Sequence, residues 1–286
     1  MRSERPLQAL PIILMTDKRI LYVTQEIAPY TPSGILSDLG RKLPEAMNAL
    51  GYEIRTFMPK YGTVNERRNQ LHEVIRLSGL NIVIDDADHP LIIKVASMQP
   101  SRIQVYFIDN DDFFQKLDSD TDVCGMNRDD NDERTIFFAR GTMETVKKLR
   151  WAPQTIHFAG LLTSLGPLYL NTQFRDDPSL KEGKVVYSVV PGEFATVDPR
   201  ILEKMEADGI PADILAKYKD MPADSRLLHS IAIDFSDGVI FQTDEPDPVL
   251  LERVKALGLP YTTMKPEAGD GKGYEEFYNS VTRHEA

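Results

Sequence analysis

Arg19-Ile-Leu-Tyr-Val-Thr24 is a short apolar, β-branched run, and together with the segment just after it this stretch decides the fold. A loop with Pro29, Pro32 and Gly34 comes next. Between Ile35 and Leu50 the residues Leu36, Leu39, Leu43, Met47 and Leu50 fall three or four apart, which predicts a helix with one apolar face. Gly51 ends it, and Tyr52-Glu-Ile-Arg-Thr-Phe-Met58 predicts a second strand closed by Pro59. Strand, loop, helix and strand in this order build a parallel sheet.

Working outward, the stretch from 71 to 108 is rich in strand signals: His72–Leu77, Asn81–Ile84, Leu91–Ala96 and Gln104–Ile108. Turn signals at Arg76-Leu77 and Asp85-Asp86 make part of it an antiparallel insertion. A helix is expected from Asp132 to Leu149, then strands at Thr155–Phe158, Lys184–Val189 and Gly238–Gln242, with helices near 161–171, 198–207, 211–219 and 224–235. The tail predicts helices at about 247–257 and 273–282 around a short strand at Pro260–Met264. The expected fold is α/β, a single Rossmann-like doubly wound parallel sheet with a strand-rich insertion, over residues 17–286. The apolar positions of 246–286 are expected to pack back on that core. Residues 1–16 read as a disordered leader. Pro11 interrupts their apolar stretch, no cleavage site precedes Asp17-Lys18-Arg19, and a second Met stands at 15.

Apolar residues make up 42% and charged residues 27%, the composition of a globular chain rather than a disordered one. Thirty-three basic against 44 acidic residues leave a net charge of −11, which argues against a nucleic-acid partner. Cys124 is the only cysteine, so an internal disulfide is excluded and a reducing, cytoplasmic setting is expected. No apolar run is long enough to cross a bilayer, so no membrane partner is expected.

Ligands in such folds sit at the carboxyl ends of the parallel strands. Tyr30-Thr-Pro-Ser-Gly34 occupies that position and leads into a helix whose free N–H groups suit a sugar or phosphate oxygen. Its single glycine makes it neither a dinucleotide fingerprint nor a P-loop, and the plainer reading is an ordinary loop with Ser33 as the helix cap. Asp118-Ser-Asp-Thr-Asp122 resembles the opening of a calcium loop. Val123 stands where such a loop needs glycine, and the closing residue is Asp129 rather than Glu, so residues 118–130 are expected to be a mobile acidic loop. His72, His89, His157, His229 and His284 lack metal-ligand spacing, and neither a metal nor a cofactor is expected. His157 ends a buried strand and reads as a satisfied core histidine. No nucleophile elbow is present.

Taken in order, the motifs resemble the N-terminal, acceptor-side half of bacterial glycogen and starch synthases, glycosyltransferases of the GT-B type. The residues that carry the resemblance begin with Glu26-Ile-Ala-Pro-Tyr30, Pro32-Ser-Gly-Ile-Leu36 with Asp38-Leu39, and Leu43-Pro44 through Leu50-Gly51 to Met58-Pro-Lys-Tyr-Gly62. Val105–Asn110 with Phe113-Phe114, Asp130-Asn131 to Arg134 with Phe137-Phe138, and Trp151-Ala-Pro153 through Ile156-His157 to Leu170 continue it, over about residues 17–245. The resemblance implies sugar or nucleotide contacts at Ser33, Gly34, Asp38, Tyr61, Asn131 and Arg134.

The departures from the family pattern are at its chemistry. Pro32 stands for the lysine that meets the nucleotide diphosphate, and Ile35 for the second glycine. Ala159, Gly160 and Leu161 stand for a His-Asp-Trp trio, and Val190-Pro191 for a His-Asn pair. Proline offers neither charge nor N–H to a diphosphate. The chain also stops near where the family's donor domain would begin. The expectation is therefore a stand-alone degenerate domain, without catalytic residues, that binds a glucan, a nucleotide sugar or a protein partner without turnover. A homo-oligomer is also open to it. The alternative is half of an ADP-glucose-dependent α-1,4-glucosyltransferase, completed by a donor domain from another chain.

Overall fold

The computed structural model describes residues 18–116 and 122–281, apart from 193 and 195. The leader 1–16, and residues 118–121 of the acidic loop, therefore lie outside the described residues. The first parallel unit consists of β1 (Arg19–Thr24), α1 (Ile35–Ala49) and β2 (Glu53–Pro59), paired from Arg19 opposite Glu53 to Val23 opposite Phe57. Helix α1 turns Leu36, Leu39, Leu43 and Met47 inward, the stripe its spacing predicted. It sits so close to the loop after β1 that a Cβ on Gly40 would come within 2.1 Å of the Glu26 carbonyl oxygen.

The insertion comprises β3 (His72–Glu73), β4 (Leu80–Ile84), β5 (Ala87–Met98) and β6 (Ile103–Asp109). Strand β6 runs parallel to β2, while β5 is antiparallel to β3, β4 and β6. Asp85 and Asp86, both at positive φ, make the tight β4–β5 turn. The strand expected over 72–77 stops at Glu73. The Leu77 amide instead donates to the Val74 carbonyl (2.8 Å), and Ile75 points into solvent.

Helix α2 (Asn131–Leu149) leads to β7 (Thr155–Ala159), α3 (Gly166–Asn171) and β8 (Lys184–Val189). The helix expected over 161–171 is a 3-10 turn at Leu161–Thr163 followed by α3. Pro167 in the first turn of α3 has no N–H to carry the preceding turn on, so the helix starts anew there, and Gly166 lies against the Phe158 ring with no room for a Cβ. After α4 (Ile201–Ala207), α5 (Ala212–Leu215) and α6 (Ser225–Asp234) come β9 (Gly238–Phe241), α7 (Pro248–Ala256), β10 (Tyr261–Thr263) and α8 (Lys272–Ser280).

The sheet order is β10-β9-β8-β7-β1-β2-β6-β5-β3, with β4 on β5, and β10 through β6 are all parallel. The chain leaves β1 toward β2 and β6 and returns on its other side at β7, which puts the topological switch point between β1 and β7. Side chains alternate across the sheet. Tyr22, His157, Ser188 and Gln242 face α1 and α8, whereas Phe158 and Tyr187 face α3 and α6. Helix α8 buries Tyr274, Phe277 and Tyr278, with Val281 behind it against Gly238, and Gly271 meets Ala46 and Leu50 of α1. An apolar side chain taken from water contributes about 1.5–3 kcal/mol, so this tail is part of the core.

Candidate functional site

The switch point is closed. Gly160, at φ +93°, follows β7, and a Cβ there would meet Leu36 Cδ2 at 2.7 Å and Gln25 Oε1 at 2.9 Å. Gln25 fills the crevice: its Oε1 accepts from the Leu162 amide (3.1 Å) and its Nε2 reaches Met126 Sδ (3.6 Å). Glu26 beside it is half-buried, and burial raises its carboxyl pKa against the opposing hydrogen bond from Gln25.

Three of the residues singled out in sequence hold this plug shut. Tyr61 Oη donates to the Gln25 carbonyl (2.8 Å). Asn131 Nδ2 donates to the carbonyls of Met126 and Arg128. Arg134 donates to the carbonyls of Phe113 (2.9 Å), Gly125 (2.6 Å) and Cys124 (2.6 Å) and to Asn131 Oδ1 (2.6 Å). All three are fully buried. In this conformation their polar groups bond the chain's own loops. The other three lie together on the first loop: Ser33 and Gly34 are exposed, and Ser33 Oγ donates to Asp38 Oδ1 (3.0 Å). Gly34, not Ser33, takes the helix-cap position. Pro32 is exposed beside them, so the loop presents no charge where the resemblance places a lysine.

A cavity of about 600 Å³ opens further along the same edge, at the carboxyl ends of β8 and β9. Val189, Phe194, Phe241 and Leu250 line it with apolar surface, and Val190-Pro191 forms part of its wall. The amino ends of α6 and α7 frame it. Asp224 caps α6, accepting from the amides of Arg226 (2.9 Å) and Leu227 (3.1 Å), and Asp247 caps α7, accepting from the Val249 amide (2.7 Å). Arg226 pairs with Asp247 Oδ2 at 2.8 Å. His229, 6% exposed, lines the cavity and joins Tyr187 Oη through Nδ1 at 2.8 Å. Burial lowers its pKa to about 4, against the pull of Asp247 and Asp224, so the ring is neutral.

Of these cavity residues only Val190-Pro191 stood out in the sequence, as the place of the family's His-Asn pair, yet a further signal existed. Asp224-Ser225 and Asp247-Pro248 are helix-start signatures following β8 and β9, and His229 interrupts the apolar stripe Leu228, Ile231, Ala232 of α6.

The histidine that did stand out, His157, is enclosed. Ser188 Oγ, which accepts from Gln242 Nε2 (3.1 Å), pairs with His157 Nε2 (2.7 Å), and His157 Nδ1 pairs with Tyr278 Oη (2.7 Å). The serine–histidine spacing matches a nucleophile and its base, but both residues are fully buried and the network fastens α8 to the sheet. In the described part of the acidic loop, Asp122 accepts from the amides of Met126 and Asn127, and Asp130 pairs with Arg128.

Taken together, the 3-2-1-4-5-6-type strand order and the switch point between β1 and β7 define a Rossmann-like domain, with the fold of a GT-B glycosyltransferase catalytic domain. The sequence model of the starch synthase catalytic domain family matches residues 19–240, and the chain belongs to that family. Glycogen synthase of Chlorobium luteolum is 37% identical over 172 residues, 60% of this chain and 35% of that protein. Glycogen synthase of Chlorobaculum parvum is 33% identical over 218 residues, 71% of this chain and 44% of that protein. The catalytic domain of starch synthase IV from Arabidopsis thaliana, solved bound to ADP and acarbose, superposes with a TM-score of 0.69 at 15% identity, over 87% of this chain and 52% of that one. The chain thus spans less than half the length of these curated relatives. Among the described residues no helix is long and apolar enough to cross a membrane.

Proposed function

We propose that this chain is a cytoplasmic glycogen/starch-synthase-like domain that binds an α-glucan at the carboxyl edge of its sheet and does not by itself transfer glucose to it. The closed switch point carries the reading: Gln25, Leu36 and Gly160 fill the crevice where a nucleotide sugar and an acceptor would have to meet. Transfer between two clefts depends on positioning and on stabilising the departing diphosphate. Pro32, Ala159–Leu161 and Val190-Pro191 supply none of the polar groups that the family places there. The alternative is an ADP-glucose-dependent α-1,4-glucosyltransferase that turns over only together with a donor domain; the chain matches 35–44% of these relatives' length.

One experiment separates the readings. The purified chain is run through gels containing glycogen and, in parallel, incubated with radiolabelled ADP-glucose and glycogen. Retardation in the gel with no incorporation above the no-protein control is expected. Incorporation by the chain alone overturns the proposal, as does an unretarded band. Incorporation that appears only when the donor half of a glycogen synthase relative is added establishes the half-enzyme.

A further inference from the structure

We propose that the saccharide is held in the β8/β9 cleft, framed by the amino ends of α6 and α7, and that this cleft selects a neutral, unphosphorylated glucan with the His229 Nε2–H as donor at its base. This rests on the glucan-binding reading above and adds where the sugar sits and why a nucleotide sugar does not.

Charge decides the ligand class first. Among the described residues, Asp224, Glu245 and Asp247 line the cleft against the single cation Arg226, itself paired with Asp247. Two helix amino ends would ordinarily attract an anion, but here Asp224 and Asp247 already accept from those amides. A diphosphate entering the cleft would meet carboxylates in the place of free N–H groups. Sugar hydroxyls, which donate as readily as they accept, suit the same carboxylates.

The base of the cleft sorts neutral from cationic ligands. Tyr187 is fully buried, and its hydroxyl is the partner of His229 Nδ1. Tyr187 Oη has no other hydrogen-bond partner among the described residues, so its buried proton goes to Nδ1, which leaves the ring proton on Nε2. Nδ1 is the only His229 side-chain atom with a hydrogen-bond partner among the described residues, and the ring, more than nine-tenths buried, borders the cavity. An N–H donor there repels an ammonium group and fits a hydroxyl or ring oxygen. Val189, Phe194 and Leu250 give the apolar surface on which the C–H face of a glucosyl unit lies. The cavity, about 600 Å³, is of the size that small-molecule sites commonly have.

The test is calorimetry of the full chain with maltoheptaose and, separately, with ADP-glucose. Maltoheptaose is expected to bind and ADP-glucose to bind at least tenfold more weakly. His229→Leu should weaken maltoheptaose at least tenfold, while His229→Gln, which keeps an N–H donor, should stay within about threefold of the parent. Hydrogen exchange on the parent chain guards against a variant that misfolds: maltoheptaose should slow exchange at residues 224–229 and 243–250. Maltoheptaose binding that is lost with Asp38→Ala, unaffected by His229→Leu and without protection at 224–229, moves the site to the first loop and overturns the inference while leaving glucan binding intact. Tighter binding of ADP-glucose than of maltoheptaose overturns the neutral-ligand assignment. No maltoheptaose binding by the parent chain removes the glucan reading itself.

Discussion

The carboxyl edge of this sheet carries two sites of opposite character. Between β1 and β7, where doubly wound folds place their ligands, side chains fill the crevice and three buried polar residues lock it. At the carboxyl ends of β8 and β9 two capped helices frame a cavity with one neutral imidazole at its base. Fold alone does not fix which site is used. At the first, a glycine with no space for a Cβ and a glutamine reaching across the gap have replaced room with contact. At the second, Asp224 and Asp247 satisfy the helix amino ends themselves.

The most severe way to break this contrast is to remove the brace of the closed site. Arg134→Ala would strip hydrogen bonds from the carbonyls of Phe113, Cys124 and Gly125 and leave them buried. Orphaned buried carbonyls cost about 1–3 kcal/mol each, and partial rehydration brings the expected loss to about 4 kcal/mol. Urea denaturation gives the magnitude, and hydrogen exchange should show opening at residues 122–131 and at Gln25. A loss below about 1 kcal/mol would mean the brace carries little of the closure.

How much of this was legible in the sequence depends on whether a residue's neighbours lie near it along the chain. The β1–α1–β2 unit follows from local periodicity, and so do the helix starts at Asp224 and Asp247. Arg134 and Tyr61 stood out as motif residues, but nothing in the sequence showed that they point inward. Their partners, Gln25 and the carbonyls at 113, 124 and 125, are set by tertiary packing. The loss of strand after Glu73 has the same origin, since Val74–Leu77 has strand-like composition and turns because Leu77 finds the core. The β8/β9 cleft was not legible as a cleft for a further reason: it is made of space between elements, and only its caps, one misplaced histidine and Val190-Pro191 at the place of the family's His-Asn pair mark it.

Acid provides a milder test. Burial depresses His157 to about 3 and His229 to about 4, so both rings are neutral when folded at pH 5 while the unfolded chain protonates them below about 6.5. The unfolded state then binds more protons, and stability falls as pH drops from 7 toward 4. At pH 5 each ring accounts for roughly 2 kcal/mol, taken as 1.36 kcal/mol per pH step below the unfolded value. The difference between the parent chain and His229→Gln in urea midpoints at pH 7 and pH 5 isolates one of them from the carboxylates. The same ring gives the sharper comparison: glucan binding should stay level from about pH 8 to about 5.5, since the folded ring does not titrate there. A His229 titration midpoint near 6.5 by NMR would show a solvated ring and overturn the buried, neutral imidazole assigned to the base of the cleft.

The smallest expected effect lies beneath the brace. His89 on β5 is 8% exposed, its ring lies 4.4 Å from that of Phe113, and neither ring nitrogen has a hydrogen-bond partner among the described residues. Phe137 closes the other side edge-on at 6.4 Å. An imidazole held this way loses the water that would satisfy it and gains only ring contacts in return. His89→Phe keeps the ring, adds an aromatic partner for Phe113 and Phe137, and removes both orphaned nitrogens. It should stabilise the chain by about 1 kcal/mol, the low end of the cost of an unsatisfied buried group, because the larger ring has to be accommodated. Differential scanning calorimetry would read this as a higher Tm. Because Phe113 also supplies a carbonyl to Arg134, the gain should persist in an Arg134→Lys background if the aromatic layer and the brace are separate supports. A lower Tm for His89→Phe would place water on the imidazole and make the closed side of the sheet wetter than its packing shows.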